Sequence, residues 1–264
     1  MSILETIIES KKKEVHRLKS NVTLSDLEKK PLFRKPVYGF KEALVQEDHL
    51  AIIAEIKQAS PSKGVLRAPF DPVAIARTYQ QHQVNALSIL TDEPFFKGSL
   101  QYLADIAAFK TAPLLRKDFI IDDYQIYEAR SYGADAILLI AEVLSREQIH
   151  DLTSTAHALN MDVLLEIHSA EQIDKIDFRI NDLIGINNRN LDDFTVNLNT
   201  TQILCNSIPS GVTVVSESGI HNKDDLEFIK NTHANAVLIG EHLMRSVNMD
   251  QELKHLKKWS RRAG

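Results

Sequence analysis

From residue 51 onward the chain repeats one unit eight times, a short apolar run followed by an amphipathic stretch. The apolar runs are 51–57, 86–91, 113–117, 136–140, 163–167, 183–187, 213–217 and 236–239. Each is rich in Ile, Leu and Val without polar alternation, the pattern of a strand covered on both faces. Helical stretches are expected between them at 72–81, 99–109, 123–132, 146–159, 199–206 and 223–231. The first opens with Asp71-Pro72, a capping side chain followed by proline in the first helical position. Strands alternating with helices form right-handed βαβ units and a parallel sheet. Eight such units close into a single (β/α)8 TIM barrel of the α/β class, and 264 residues suit one. A doubly wound open sheet is the alternative. It has against it the number of strands and the lack of Gly-x-Gly-x-x-Gly after the first.

Residues 1–47 do not follow the repeat. Ile3, Leu4, Ile7, Ile8, Val15 and Leu18 recur at helical spacing, 25–28 offers a second helix start, and 41–46 forms a short amphipathic helix after Pro31 and Pro36. The segment is too small for a domain. It reads as an N-terminal helical extension packing over the barrel mouth, with 48–264 as the catalytic barrel. Deleting it is expected to weaken substrate binding more than it unfolds the barrel. Lys11, Lys12 and Lys13, and the basic run 254–262, read as solvated helix faces.

Barrel active sites lie at the C-terminal ends of the strands. There Glu55 and Lys57, two residues apart, share one face of their strand, and both are costly to bury unless paired or in use. Polar residues also end strands for no functional reason, and Asp92, Asp118, Glu142 and His168 read as solvated or helix-capping. Lys57, Lys117 and Glu166 fit that reading poorly, because each stands at or in the last turn of its strand. After the seventh and eighth strands come Ser218-Gly219 and Gly240-Glu241. Glycines there let backbone N–H groups approach an anion, the usual phosphate cradle of a barrel.

Other chemistries have less behind them. The net charge of −5 disfavours nucleic acid as a partner. The lone Cys205 rules out an internal disulfide and a Cys-built zinc site, and Glu166 with His168 makes only two ligands, so no metal is expected. No apolar run approaches the ~20 residues of a membrane span, and Glu5, Glu9 and Lys11–Lys13 break any signal-peptide pattern. A cytoplasmic, soluble protein is expected.

Six segments together resemble indole-3-glycerol phosphate synthase. They are Ile56-Lys57-Gln58-Ala59-Ser60-Pro61-Ser62-Lys63-Gly64, Leu87-Ser88-Ile89-Leu90-Thr91-Asp92 and Leu114-Leu115-Arg116-Lys117-Asp118-Phe119, followed by Gly185-Ile186-Asn187-Asn188-Arg189-Asn190-Leu191, residues 215–220 and Ile239-Gly240-Glu241-His242-Leu243-Met244. Gln58 and Asn190 depart from common family choices without touching the reactive positions. The resemblance implies closure of 1-(2-carboxyphenylamino)-1-deoxyribulose 5-phosphate to indole-3-glycerol phosphate, with loss of carbon dioxide and water and no metal or cofactor. It implies Lys117 as general acid at ring closure and Glu166 as general base in dehydration. Lys57 is implied as the anchor of the substrate's anionic groups and a second candidate proton donor. Glu55, Asn187 and Glu217 would arrange lysines and hydroxyls, with Arg189 and Ser60 contributing. Phe96, Phe119 and Pro61 are candidates for an apolar slot holding the anthranilate ring. Ser218, Gly219, Gly240 and Glu241 would hold the phosphate, counted together with Lys57. Cationic neighbours would lower the Lys117 pKa and carboxylates raise it.

Two rival readings compete with this one. A phosphoribosyl isomerase of the same pathway would use Cys/Asp or paired Asp at its strand ends, where this chain has lysines. A non-enzymatic phosphate-binding barrel would need neither Lys117 nor Glu166. A monofunctional monomer is expected, the chain ending soon after its eighth unit.

Overall fold

The structure, a computed structural model, describes residues 2–190 and 194–262; Leu191 of the sixth-strand motif and the last residue, Gly264, lie outside them. Eight parallel strands close into a barrel in sequence order. They are β1 Ala51–Ile56, β2 Ala86–Leu90, β3 Leu114–Lys117, β4 Ala136–Ile140, β5 Asp162–Ile167, β6 Leu183–Asn187, β7 Thr213–Glu217 and β8 Ala236–Ile239. Each bound falls within one residue of the apolar run that announces it. Helices cover the outside on the expected stretches, and a 3-10 turn, Ala170–Lys175, takes the fifth position.

Strand parity divides the core in two. Ile52, Ala54, Ile56, Leu87, Ile89, Leu114, Val163, Leu165, Ile184 and Ile186 face the helices. Ala51, Ile53, Leu115, Ala136, Leu138, Leu164, Leu183, Val215, Ala236 and Leu238 fill the barrel interior. The interior set alternates with the exterior one because successive strand side chains point to opposite faces. Continuing the interior parity to the C-terminal ends reaches Glu55, Lys57, Lys117, Glu166, Asn187 and Glu217. At this level the interior changes from aliphatic to charged.

The N-terminal segment is built into both ends of the barrel. A helix over Ile3–Asn21 starts with a capping box in which Ser2 and Glu5 satisfy each other's backbone. Further on, Phe40 and Leu44 are fully buried among the interior residues of the barrel. The Asp162 carboxylate, at the start of β5, accepts the backbone N–H groups of Phe40 and Lys41 at 2.8 and 2.9 Å.

Lys11 is not on a solvated face. It is 1% exposed. Its Nζ lies 3.0 Å from Asp118, 3.1 Å from Asp92 and 2.9 Å from Glu14. Burial pulls its pKa down, but those three carboxylates outweigh burial and hold it above the ordinary lysine value. Asp118 is likewise neither solvated nor a helix cap, being paired with Arg116 at 3.0 Å as well as with Lys11. Asp92 does cap, accepting the Phe95 N–H at 2.9 Å, yet it is as buried as Lys11. These ion pairs tie the first helix to the ends of β2 and β3.

Candidate active site

One cavity at the C-terminal end of the barrel is lined by every candidate residue the sequence points to. Glu55, Lys57, Lys117, Glu166, Asn187 and Glu217 form its floor and walls, Ser60, Pro61, Phe96, Phe119 and Arg189 its sides, and Ser218, Gly219, Gly240 and Glu241 one end.

Lys117, the last residue of β3, is the centre of this arrangement. Its Nζ lies 3.1 Å from Glu166 Oε2 and 3.6 Å from Glu217 Oε2. Burial would depress the ammonium, but Glu166, Glu217 and Glu55 reverse that and hold its pKa above the usual lysine value. The three carboxylates therefore win over burial. Burial would also raise Glu166; the Lys117 ammonium, His168 and a 3.3 Å hydrogen bond from Asn187 Nδ2 override it and keep the carboxylate ionised. Glu217 has the opposite fate. Burial, with Glu166 and Glu55 nearby, pushes it up to about 8 against the pull of Lys117. Three carboxylates within one site cannot all ionise cheaply, and the proton settles on the one whose cation is farther away.

Two glycines make room for these groups. A Cβ on Gly185 would overlap the Glu217 carboxylate, and one on Gly240 would overlap that of Glu55. Glu55 itself forms an ion pair with Lys57, the pairing that its place on an inward strand face requires.

Polar support comes from β6 and the loop after it. Arg189 donates its N–H to Asn187 Oδ1 at 3.0 Å and places its guanidinium 3.4 Å from Glu241. Glu241 also meets Arg245 at 3.1 Å, so its carboxylate is paired with two guanidinium groups, and its backbone opens the helix Glu241–Arg245. Ser218 and Gly219 both adopt left-handed backbone, φ +69° and +81°, and a side chain at Gly219 would meet Val196. Phe96 and Phe119 stand 6.0 Å apart, ring to ring, on an apolar side of the cavity.

Several lining residues have no local signal. Ile3, Leu4 and Ile7 of the first helix reach the cavity, as do Phe194, His221 and His242. An apolar helical stripe looks the same whether it faces a core or a mouth. His168 also differs from expectation. Its side chain is only 9% exposed, and Nε2 lies 3.2 Å from Glu166 Oε1. Among the described residues no group of three or more His, Cys, Asp or Glu is arranged to hold a metal ion, and no helix is long and apolar enough to cross a membrane.

The sequence model of indole-3-glycerol phosphate synthase matches residues 4–256. An enzyme of that name from Campylobacter jejuni subsp. doylei is 43% identical over 258 residues, covering 96% of this chain and 99% of that one. One from Trichodesmium erythraeum is 45% identical over 262 residues, covering 97% and 88%. Among solved structures, 3-hexulose-6-phosphate synthase superposes with a TM-score of 0.62 at 13% identity, covering 80% of this chain and 99% of that one. A mandelate oxidase variant with an FMN adduct superposes with a TM-score of 0.59 at 17% identity, covering 86% and 87%. At such identities these two structures show the barrel fold alone.

Proposed function

The chain belongs to the indole-3-glycerol phosphate synthase family, and from that premise we propose how its side chains divide the reaction among them. The reaction closes, decarboxylates and dehydrates 1-(2-carboxyphenylamino)-1-deoxyribulose 5-phosphate to indole-3-glycerol phosphate, a step of tryptophan biosynthesis.

Lys117 is the general acid. As the aromatic carbon attacks the ketone, negative charge develops on the ketone oxygen, and a buried ammonium stabilises and protonates it. Lys57, paired with Glu55, anchors the substrate carboxylate until it leaves as carbon dioxide. Glu166 is the base that takes a proton during dehydration. The 3.1 Å contact between Lys117 and Glu166 is the observation that carries this reading. The ammonium is what holds the Glu166 pKa down, so proton donation by Lys117 makes Glu166 a stronger base for the later step. Glu217, carrying a proton at neutral pH, hydrogen-bonds hydroxyls of the reacting chain. Asn187 orients Glu166, and Arg189 and Ser60 line the substrate.

Phe96 and Phe119, with Pro61, hold the anthranilate ring. The backbone at Ser218–Gly219 and Gly240–Glu241 receives the phosphate. The first helix closes the mouth and keeps water from the charged intermediates. All these groups belong to one chain, so a cytoplasmic monomer suffices for the reaction.

The division between acid and base is tested by following carbon dioxide and indole fluorescence together in a single turnover. Glu166→Gln is expected to release carbon dioxide ahead of any indole, because ring closure precedes the step that needs the base. Equal loss of both signals would overturn the assignment of Glu166.

A further inference from the structure

The reaction consumes a proton, which must reach the site from outside the substrate. The substrate enters as a carboxylate and leaves its carbon as neutral carbon dioxide, with water the other product. At ring closure the arene electrons form the new carbon–carbon bond while the ketone oxygen takes a proton from an ammonium. Loss of carbon dioxide returns its bonding pair to the ring. Dehydration takes a second proton onto the departing hydroxyl and gives one back, from the carbon beside the nitrogen, to the base. The site thus gives two protons and recovers one, leaving a shortfall of one per turnover.

We propose that His168 supplies this proton to Lys117 through Glu166, drawing it from a second cavity beside the active site. The inference rests on the assignment of Lys117 and Glu166 above. Glu166 presents its two oxygens to different partners, Oε2 to Lys117 Nζ at 3.1 Å and Oε1 to His168 Nε2 at 3.2 Å. The imidazole is nine-tenths buried; Nε2 is engaged by Glu166, and Nδ1 has no hydrogen-bond partner among the described residues. Buried polar groups left in this state are rare, and one in contact with a reacting carboxylate calls for a reason. A structural histidine would have its second nitrogen tied to a backbone or side-chain acceptor. Here only the backbone is held, by the His168 N–H donating to Gln172 Oε1 at 2.8 Å.

His168 also stands in the wall of the second cavity, which shares Leu4, Asn187 and Arg189 with the first. The charged groups around that cavity are Glu5, Glu9 and Lys12 of the first helix, Glu142 after β4 and Arg189 after β6. A cavity so lined admits water. The transfer then balances. The imidazolium gives its proton to Glu166 Oε1, the carboxyl turns about its last bond, and the acid passes the proton to the Lys117 amine. Neutral imidazole regains a proton from water in the second cavity. This path runs while substrate still covers the first one.

The test is steady-state turnover of His168→Ala and His168→Gln, with and without added imidazole. Each variant is expected to lose about tenfold in kcat with KM nearly unchanged, a modest share of what proton transfer contributes. Imidazole is expected to restore His168→Ala, which leaves space for it, and to leave His168→Gln unchanged. Lys117→Met serves as the reference and is expected to stay unrescued. Wild-type turnover in both His168 variants, or a loss that imidazole does not restore in His168→Ala, would overturn the relay while leaving the acid and base in place. Turnover near wild type in Lys117→Met would overturn both.

Discussion

The Glu217 carboxyl lies 3.6 Å from the Lys117 ammonium, and its other oxygen, Oε1, is buried with no hydrogen-bond partner among the described residues. Burial and the carboxylates of Glu166 and Glu55 therefore leave it protonated at neutral pH, up to about 8. Below the ordinary value of 4.5 the side chain holds its proton in folded and unfolded chains alike. Between there and about 8 only the folded chain holds it, so stability falls as pH rises through this window. Glu217→Gln lacks that slope. In urea unfolding the variant is expected to gain on wild type between about pH 5 and about pH 9. A constant difference across that range would mean that Glu217 is ionised at neutral pH.

Lys11→Met removes the cation that Asp92 and Asp118 share; Asp118 keeps Arg116, while Asp92 is left buried without its ion pair. Breaking a buried pair in this way costs about 3 kcal/mol. Denaturant unfolding measures that loss, and KM is expected to rise as the first helix loosens from the ends of β2 and β3. A variant as stable as wild type would show that the ion pairs are offset by their own desolvation.

Truncation separates two roles of the N-terminal segment. Phe40 and Leu44 are fully buried in the barrel interior, so deleting residues 1–47 opens a hole at its base rather than only uncovering the mouth. Losing a buried phenylalanine alone costs about 3 kcal/mol or more. Removal of 1–47 is therefore expected to prevent stable folding, as circular dichroism will show. Removal of 1–22 is expected to leave a folded barrel with a raised KM. An unchanged KM in the shorter truncation would argue against closure by the first helix.

Gly240→Ala tests whether the charged layer is held by space as well as by charge. The added methyl overlaps the Glu55 carboxylate, which must move and take Lys57 with it. Misplaced anchoring groups cost on the order of 100-fold in kcat/KM. Full activity in this variant would show that Glu55 has another position open to it.

The barrel and its charged layer are legible in the sequence because both follow from strand parity. Once 51–57 is read as a strand with Ile53 inside, Glu55 and Lys57 must be inside too, and the same counting from Leu115, Leu164 and Val215 reaches Lys117, Glu166 and Glu217. Lys11 is not legible. Within Lys11-Lys12-Lys13 it looks like any solvated cation, and its burial depends on Asp92 and Asp118, which only the closed barrel brings to it. The same holds for Phe40, buried in a cluster to which all eight strands contribute, and for His168, whose burial beside Glu166 is a property of its surroundings. Local pattern shows which way a side chain points. It does not show what waits there.

The central claim is that Lys117 donates the proton at ring closure. Its most direct test is turnover of Lys117→Met, followed by indole fluorescence at saturating substrate in protein shown to be folded. A general acid of this kind contributes about 100- to 10,000-fold, so kcat is expected to fall by that much. Turnover within a few-fold of wild type would contradict the claim.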